Sequence, residues 1–278
     1  MGILQVAAAL LSAMLHAGWN AAVKASARPT DVMAAQMLAS GVLVLPGLLW
    51  SGLPARAAWI WIGASTLMNV VTVSALLRAY ELGGFGVVYP VVRSVSVLLV
   101  APLSAALVGD RLGLGAILGV ALIAAALATL AYGARRDRTF SLHALAWTLA
   151  AGIGTAAYIA CDARGVRAAG SPLAYGFAVS ALNAVAMGWR QRHVAMPWRL
   201  VWMNAGVAFP AAAAAVASYL LILWVWTEAP IAPASALRDT SAVFALLIAA
   251  LWLKEPFTRS RVMAVLCAAT AVPLLRLS

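Results

Sequence analysis

The chain is a succession of long apolar runs with very little between them. They fall at about 3–23, 32–50, 57–79, 86–108, 113–133, 142–161, 172–189, 200–227, 230–253 and 260–277. The breaks are short and marked by charge, Gly or Pro, as at Lys24 to Asp31, Ser51 to Arg56, Asp110-Arg111 and Arg135 to Arg138. The breaks at Glu81 and Glu228 are each one acid among small residues or proline, so eight or nine runs stand as alternatives to ten. A helix crosses the apolar core of a bilayer in about 20 residues. The runs are too long for strands and do not alternate apolar with polar, which excludes a β-barrel. The expected fold is an all-α membrane protein of ten transmembrane helices. Ten such helices take about 200 residues, so the loops are short and no soluble domain fits beside them.

Only 10% of residues are charged and 65% are hydrophobic, whereas a soluble domain carries about 25% charged residues. The chain therefore needs lipid around it, and the bilayer is its first expected partner. The formal net charge is +11, but the basic residues sit in small groups between apolar runs, as loops of the positive-inside kind do. No basic stripe with interleaved aromatics exists, so nucleic acid is excluded as a partner. Cys161 and Cys267 lie in or beside apolar runs and read as buried free thiols. Neither CxxC nor HExxH spacing occurs, so no metal and no cofactor is expected. Ala25-Ser26-Ala27 resembles a signal-peptidase site, yet no Lys or Arg precedes residues 3–23 and that run is too long for a signal sequence. It reads as a retained first span.

An internal repeat is the most informative pattern. Arg93 is followed by Ser96, an apolar run and Asp110; Arg238 is followed by Ser241, an apolar run and Glu255. The arginine-to-acid separation is 17 in both, and the copies are offset by 145, close to half the chain. Gly115 and Gly119 fall opposite Ser260 and Ala264 at the same offset. Two halves of five spans each, 1–138 and 139–278, must insert with opposite orientation, which is the inverted-repeat plan of secondary transporters.

Two stretches, YPVVRSVSVLLVAPLSAALVGDRLGLGAILGVALI and LRDTSAVFALLIAALWLKEPFTRSRVMAVL, resemble the EamA-type family of the drug/metabolite transporter superfamily. Each has a helix, an acid at its end and a helix rich in small residues. The resemblance covers nearly the whole chain. LHAGWNAAVKAS, near the start, is similar to a subgroup associated with phosphonate use. The resemblance implies ten helices in two inverted five-helix repeats, a central cavity and efflux of small metabolites from a bacterial cell through the inner membrane. The related small multidrug-resistance proteins carry a proton-coupling Glu in the first helix; this first helix has no acid, which sets the chain apart from cationic-drug export.

The candidate site residues are the polar ones inside the runs. A charged residue within a span faces the bundle interior or a wet cavity, because lipid exposure costs about 2.5–3.5 kcal/mol. Arg93 reads either as an anchor for a carboxylate or phosphonate, which guanidinium grips bidentately, or as a structural arginine tied to carbonyls. Its own helix offers no acid, so a substrate anion is the expected partner. Arg238 has Asp239 beside it, which favours a local structural network, although neighbours in sequence face apart on a helix. The first helix has a polar stripe of Ser12, His16, Asn20 and Lys24, with Trp19 on the same side. His16 is the candidate proton carrier, since its unperturbed pKa is about 6.5; a neutral histidine bonded across helices is the plainer reading. Further stripes are Ser65, Asn69 and Thr72; Tyr89, Arg93 and Ser96; and Thr155, Tyr158 and Asp162. The expected substrate-binding set is Arg93, Arg238, His16, Trp19, Asn20, Asn69, Tyr89, Ser96, Tyr158 and Ser241, on spans 1, 3, 4, 6, 8 and 9. Trp59, Trp61, Trp189, Trp198 and Trp202 lie near span ends and read as interfacial anchors.

The expected activity is alternating-access export of a small anionic or zwitterionic metabolite, such as an amino acid, an organic acid or a phosphonate. The alternatives are an integral-membrane enzyme acting on lipid, which would need clustered His, Asp or a metal set, and a non-transporting scaffold. Gly115-xxx-Gly119 and Ala264-xxx-Ala268 could pack the repeats together or form a homodimer face. With ten spans one side receives Lys24, Arg28, Arg78, Arg135, Arg136, Arg138, Arg190, Arg192, Arg199, Lys254, Arg259 and Arg261, and the other Arg56, Arg111, Arg164, Arg167 and Arg276. That bias puts both termini outside the cytoplasm, while the family resemblance suggests termini inside.

Overall fold

A computed structural model describes residues 1–82, 85–109, 113–135, 141–193 and 196–241, with 243, 244, 247, 248, 263, 266, 267, 270, 271 and 274 beyond them. Among these every regular element is helical. The helices are α1 (Ile3–Lys24), α2 (Pro29–Ser51), α3 (Trp59–Leu82), α4 (Phe85–Val108), α5 (Leu114–Arg135), α6 (Leu142–Ala168), α7 (Pro172–Gln191), α8 (Pro197–Met203), α9 (Ala205–Glu228) and α10 (Ile231–Asp239), with a short 3-10 turn at Arg56–Ala58. Five segments among the described residues are long and apolar enough to cross a membrane: Ile3–Val23, Pro29–Ser51, Arg56–Leu82, Leu142–Ala168 and Ala205–Glu228.

Local chemistry sets the helix ends. Ser141 and Ser171 accept from the backbone N–H of Ala144 and Ala174, each filling one donor that the first turn leaves open. Pro29, Pro172 and Pro197 open their helices, where a missing N–H does no harm. Gly170 follows α6 at φ 75°, a left-handed conformation that stops the helix. The acids at the two weakest breaks do mark helix ends, since α3 stops at Leu82 and α9 at Glu228. The run 200–227 is not one helix. Asn204, at φ −117° and ψ 13°, separates α8 from α9, and its Nδ2 donates to Leu200 O.

The bundle packs by close helix crossings. α1 lies against α9, α2 against α7 and α9, α3 against α6, and α4 against α5 and α6. At the first crossing two serines exchange bonds: Ser12 Oγ donates to Ser218 O at 2.6 Å, and Ser218 Oγ donates to Ser12 O at 2.8 Å. At α3·α6 a Cβ on Gly154 would stand 2.4 Å from Thr72 Oγ1, and at α2·α7 one on Gly41 would stand 2.4 Å from Ala184 Cβ. Those backbones meet because no side chain intervenes. Large apolar side chains such as Leu49, Trp50, Ile60 and Leu142 point outward, as a lipid-facing surface requires.

Several expectations lie outside the described residues: Asp110 and Glu255 of the repeat, Ser260 and Ala264, most of the run 260–277, and the boundary between 138 and 139. Tyr89 belongs to α4, but its side chain is also outside them.

Candidate functional site

The polar side chains within the spans converge on one cavity of ≈ 210 Å³. That is smaller than the roughly 300–1,000 Å³ of pockets for drug-sized ligands, so it suits a small solute. From α1 come His16, Trp19 and Asn20; from α3, Asn69, Thr72, Val73 and Leu76; from α4, Val92 and Arg93. α6 gives Thr155, Tyr158 and Asp162, α9 gives Ala215, Val216 and Tyr219, and α10 gives Arg238. The remaining wall comes from helices outside the expected set. α2 adds Met33, Gln36, Met37 and Ser40, and α7 adds Ser180 and Asn183.

Of the expected set, His16, Trp19, Asn20, Asn69, Arg93, Tyr158 and Arg238 line the cavity. Ser96 and Ser241 do not; both are fully buried away from its wall. Ser12 belongs to the same stripe as His16 but is taken up by Ser218 rather than by the cavity. The missed residues carried the same kind of signal. Gln36 and Ser40 are one turn apart in an apolar run, as are Ser180 and Asn183, and each pair marks a polar face as surely as the stripes on α3 and α6.

The geometry changes the expectation for Arg93. Arg93 does have an acid partner, contributed by a helix far along the chain: its NH1 donates to Asp239 Oδ1 at 2.9 Å, and both side chains are buried. Its NH2 bonds His16 Nε2. Guanidinium can only donate, so His16 is the acceptor in this bond. Trp19 packs edge-on against the His16 ring, with centroids 5.1 Å apart. Asp239 thus bonds Arg93 across the bundle and also lies within electrostatic reach of Arg238 beside it in sequence. Arg238 is 7% exposed and makes no hydrogen bond or ion pair among the described residues.

Asp162 is the other charged group on the wall. Tyr175 Oη donates to one carboxylate oxygen at 3.1 Å and Tyr219 Oη to the other at 2.8 Å, which ties α6 to α7 and α9. The hydroxyls of Ser40, Thr72 and Thr155 turn back to carbonyls one turn earlier in their own helices. Several polar atoms stay open among the described residues: Trp19 Nε1, Asn69 Oδ1, Asn183 Oδ1 and Arg238 Nε. Among the described residues no group of His, Cys, Asp and Glu stands together as a metal site would require.

No protein-family model matches the chain, and no curated protein matches it. Solved structures do: 26 chains match. One, given simply as "Crystal structure of protein", aligns at a TM-score of 0.73 over 99% of this chain and 96% of its own, with 17% identity. At that identity the likeness shows the fold alone.

Proposed function

We propose that the protein is a secondary transporter of the EamA type in the drug/metabolite transporter superfamily, moving a small anionic or zwitterionic metabolite by alternating access. The observation that carries this reading is the cavity itself. It is small, built from eight helices of an apolar bundle, and sets polar side chains, two buried arginines among them, in a largely apolar wall. Ionisable groups at such depth are costly and mark a solute pathway.

The packing supports two five-span halves. If α1, α2, α3 and α4 correspond to α6, α7, α9 and α10, the main packings recur as counterparts. α1 on α9 matches α6 on α3, α2 on α9 matches α7 on α3, and α4 on α6 matches α10 on α1. α2 on α7 and α4 on α10 are their own counterparts. A pseudo-two-fold axis relating the halves generates this pattern and brings Arg93 and Arg238 to one cavity. On this reading the chain has ten spans in inverted repeats, sits in a bacterial inner membrane, exports its substrate and is not an enzyme.

Purified protein in proteoliposomes, preloaded with a labelled mixture of amino acids, organic acids and phosphonates, should release at least one of them faster than empty liposomes do. Absence of flux for every solute, with folded protein in the bilayer, would sink the transporter reading.

A further inference from the structure

The cavity wall carries two poles of opposite sign that do not pair with each other. Arg238 of α10 is buried and makes no hydrogen bond or ion pair among the described residues. Asp162 of α6 is buried too, and its carboxylate accepts from the hydroxyls of Ser65, Tyr175 and Tyr219, none of which carries a positive charge. They line the same cavity and lie within electrostatic reach of each other. Arg93 is different, because Asp239 already answers it. A buried charge without a hydrogen-bonded counter-charge is strongly unfavourable. Asp239 also lies within electrostatic reach of Arg238 without bonding it, so the bundle closes one hydrogen-bonded ion pair here and leaves Arg238 and Asp162 each without a bonded counter-charge among the described residues.

The open hydrogen-bonding atoms are likewise of both kinds. Arg238 Nε and Trp19 Nε1 are donors; Asn69 Oδ1 and Asn183 Oδ1 are acceptors. A carboxylate has about four acceptor sites, so Asp162 has room for a further donor beside Ser65 and its two tyrosines. Met33, Met37, Val73 and Leu76 supply an apolar stretch of the wall.

We infer that the site takes a small zwitterion, with its anionic group on Arg238 and its cationic group on Asp162, and not a simple anion. This rests on the cavity being the substrate site. A lone anion would satisfy Arg238 and leave Asp162 unanswered, and a lone cation would do the reverse. A solute with both poles answers both and brings no net charge into the bundle.

The test uses the full chain in lipid nanodiscs, titrated calorimetrically with the common amino acids and betaines. Each binder is then compared with the carboxylic acid and the amine that share its skeleton. The zwitterion should bind at least about tenfold tighter than either half, as loss of one buried charge contact implies. Asp162→Asn should bring the zwitterion and its carboxylic acid to equal affinity, and Arg238→Gln should do the same for the zwitterion and its amine. Arg238→Lys and Asp162→Glu keep the charges, so they should keep the preference and also show that the site still folds. A carboxylic acid that binds as tightly as its zwitterion overturns the inference, as does a preference that survives both charge removals, or no zwitterion binding at all. Flux in proteoliposomes separates this from the transporter reading. Zwitterion binding without flux sinks transport alone, and flux of a simple anion without zwitterion preference sinks this inference alone.

Discussion

Arg93 and Arg238 occupy corresponding positions 145 residues apart, yet they are neutralised in different ways. Arg93 has an acid at 2.9 Å and a histidine acceptor, from two other helices. Arg238 has neither among the described residues and faces Asp162 only through the cavity. The flanking residues explain the difference. At the offset of 145, the place of Asp239 is taken in the first stretch by Ser94, and the place of His16 is taken in the second by Cys161. The two stretches keep the cation and differ in what meets it. A buried arginine with an internal partner belongs to the framework, while one without a partner is available to a ligand.

The two arginines should differ most in what their neutralisation contributes to stability. Asp239→Ala leaves Arg93 buried without its acid, which should cost about 3–5 kcal/mol. Arg238→Gln removes a charge that has no bonded acid among the described residues, so its cost should be far smaller. Thermal unfolding of the two variants in the same detergent measures the gap. Equal loss in both would erase the distinction. Replacing Arg93 and Asp239 together with Met and Leu should recover most of the lost stability, because well-packed apolar side chains commonly match a buried ion pair.

The next effect is on the substrate. Lysine keeps the charge and loses the planar fork. Arg238→Lys should therefore raise the KM for the transported solute by roughly tenfold to a hundredfold, the range set by hydrogen bonds to charged groups. Arg93→Lys should act mainly on stability, because a lysine cannot reach Asp239 and His16 in the geometry of a fork. Flux kinetics that rank the two variants the other way would move the anchor to Arg93.

Smaller effects should follow from the neighbours. His16→Gln offers Arg93 another acceptor, so it should cost less than about 1.5 kcal/mol and leave the response to a pH gradient in place. Loss of that response with solute exchange retained would identify His16 as the proton carrier. Tyr219→Phe removes one of the hydroxyl donors to Asp162 and should cost about 0.5–1.5 kcal/mol, with a modest weakening of substrate binding. No effect on binding would detach Asp162 from the solute.

The polar stripes were readable because helical spacing alone places Asn69 with Thr72, Thr155 with Tyr158 and Asp162, and His16 with Asn20. Each of those residues lies on the cavity wall. Ser96 and Ser241 share a face with their arginines yet are buried elsewhere, because one face of a helix can meet both a cavity and a neighbouring helix. Gln36, Asn183 and Tyr219 needed the packing of α2, α7 and α9 to bring them in.

The sequence by itself determined that the described chain is helical, that several of its helices are long and apolar enough to cross a membrane, and that charged residues sit inside those helices. These follow from local quantities: hydropathy over one helix length, the residues at helix ends and a period of about 3.6 residues. Only the tertiary structure decided which acid answers which arginine. Asp239 is adjacent to Arg238 in sequence but makes its ion pair with Arg93, 146 positions earlier. Ion pairing depends on separations of a few ångströms across helix contacts, and sequence spacing fixes direction within a helix without fixing what lies opposite.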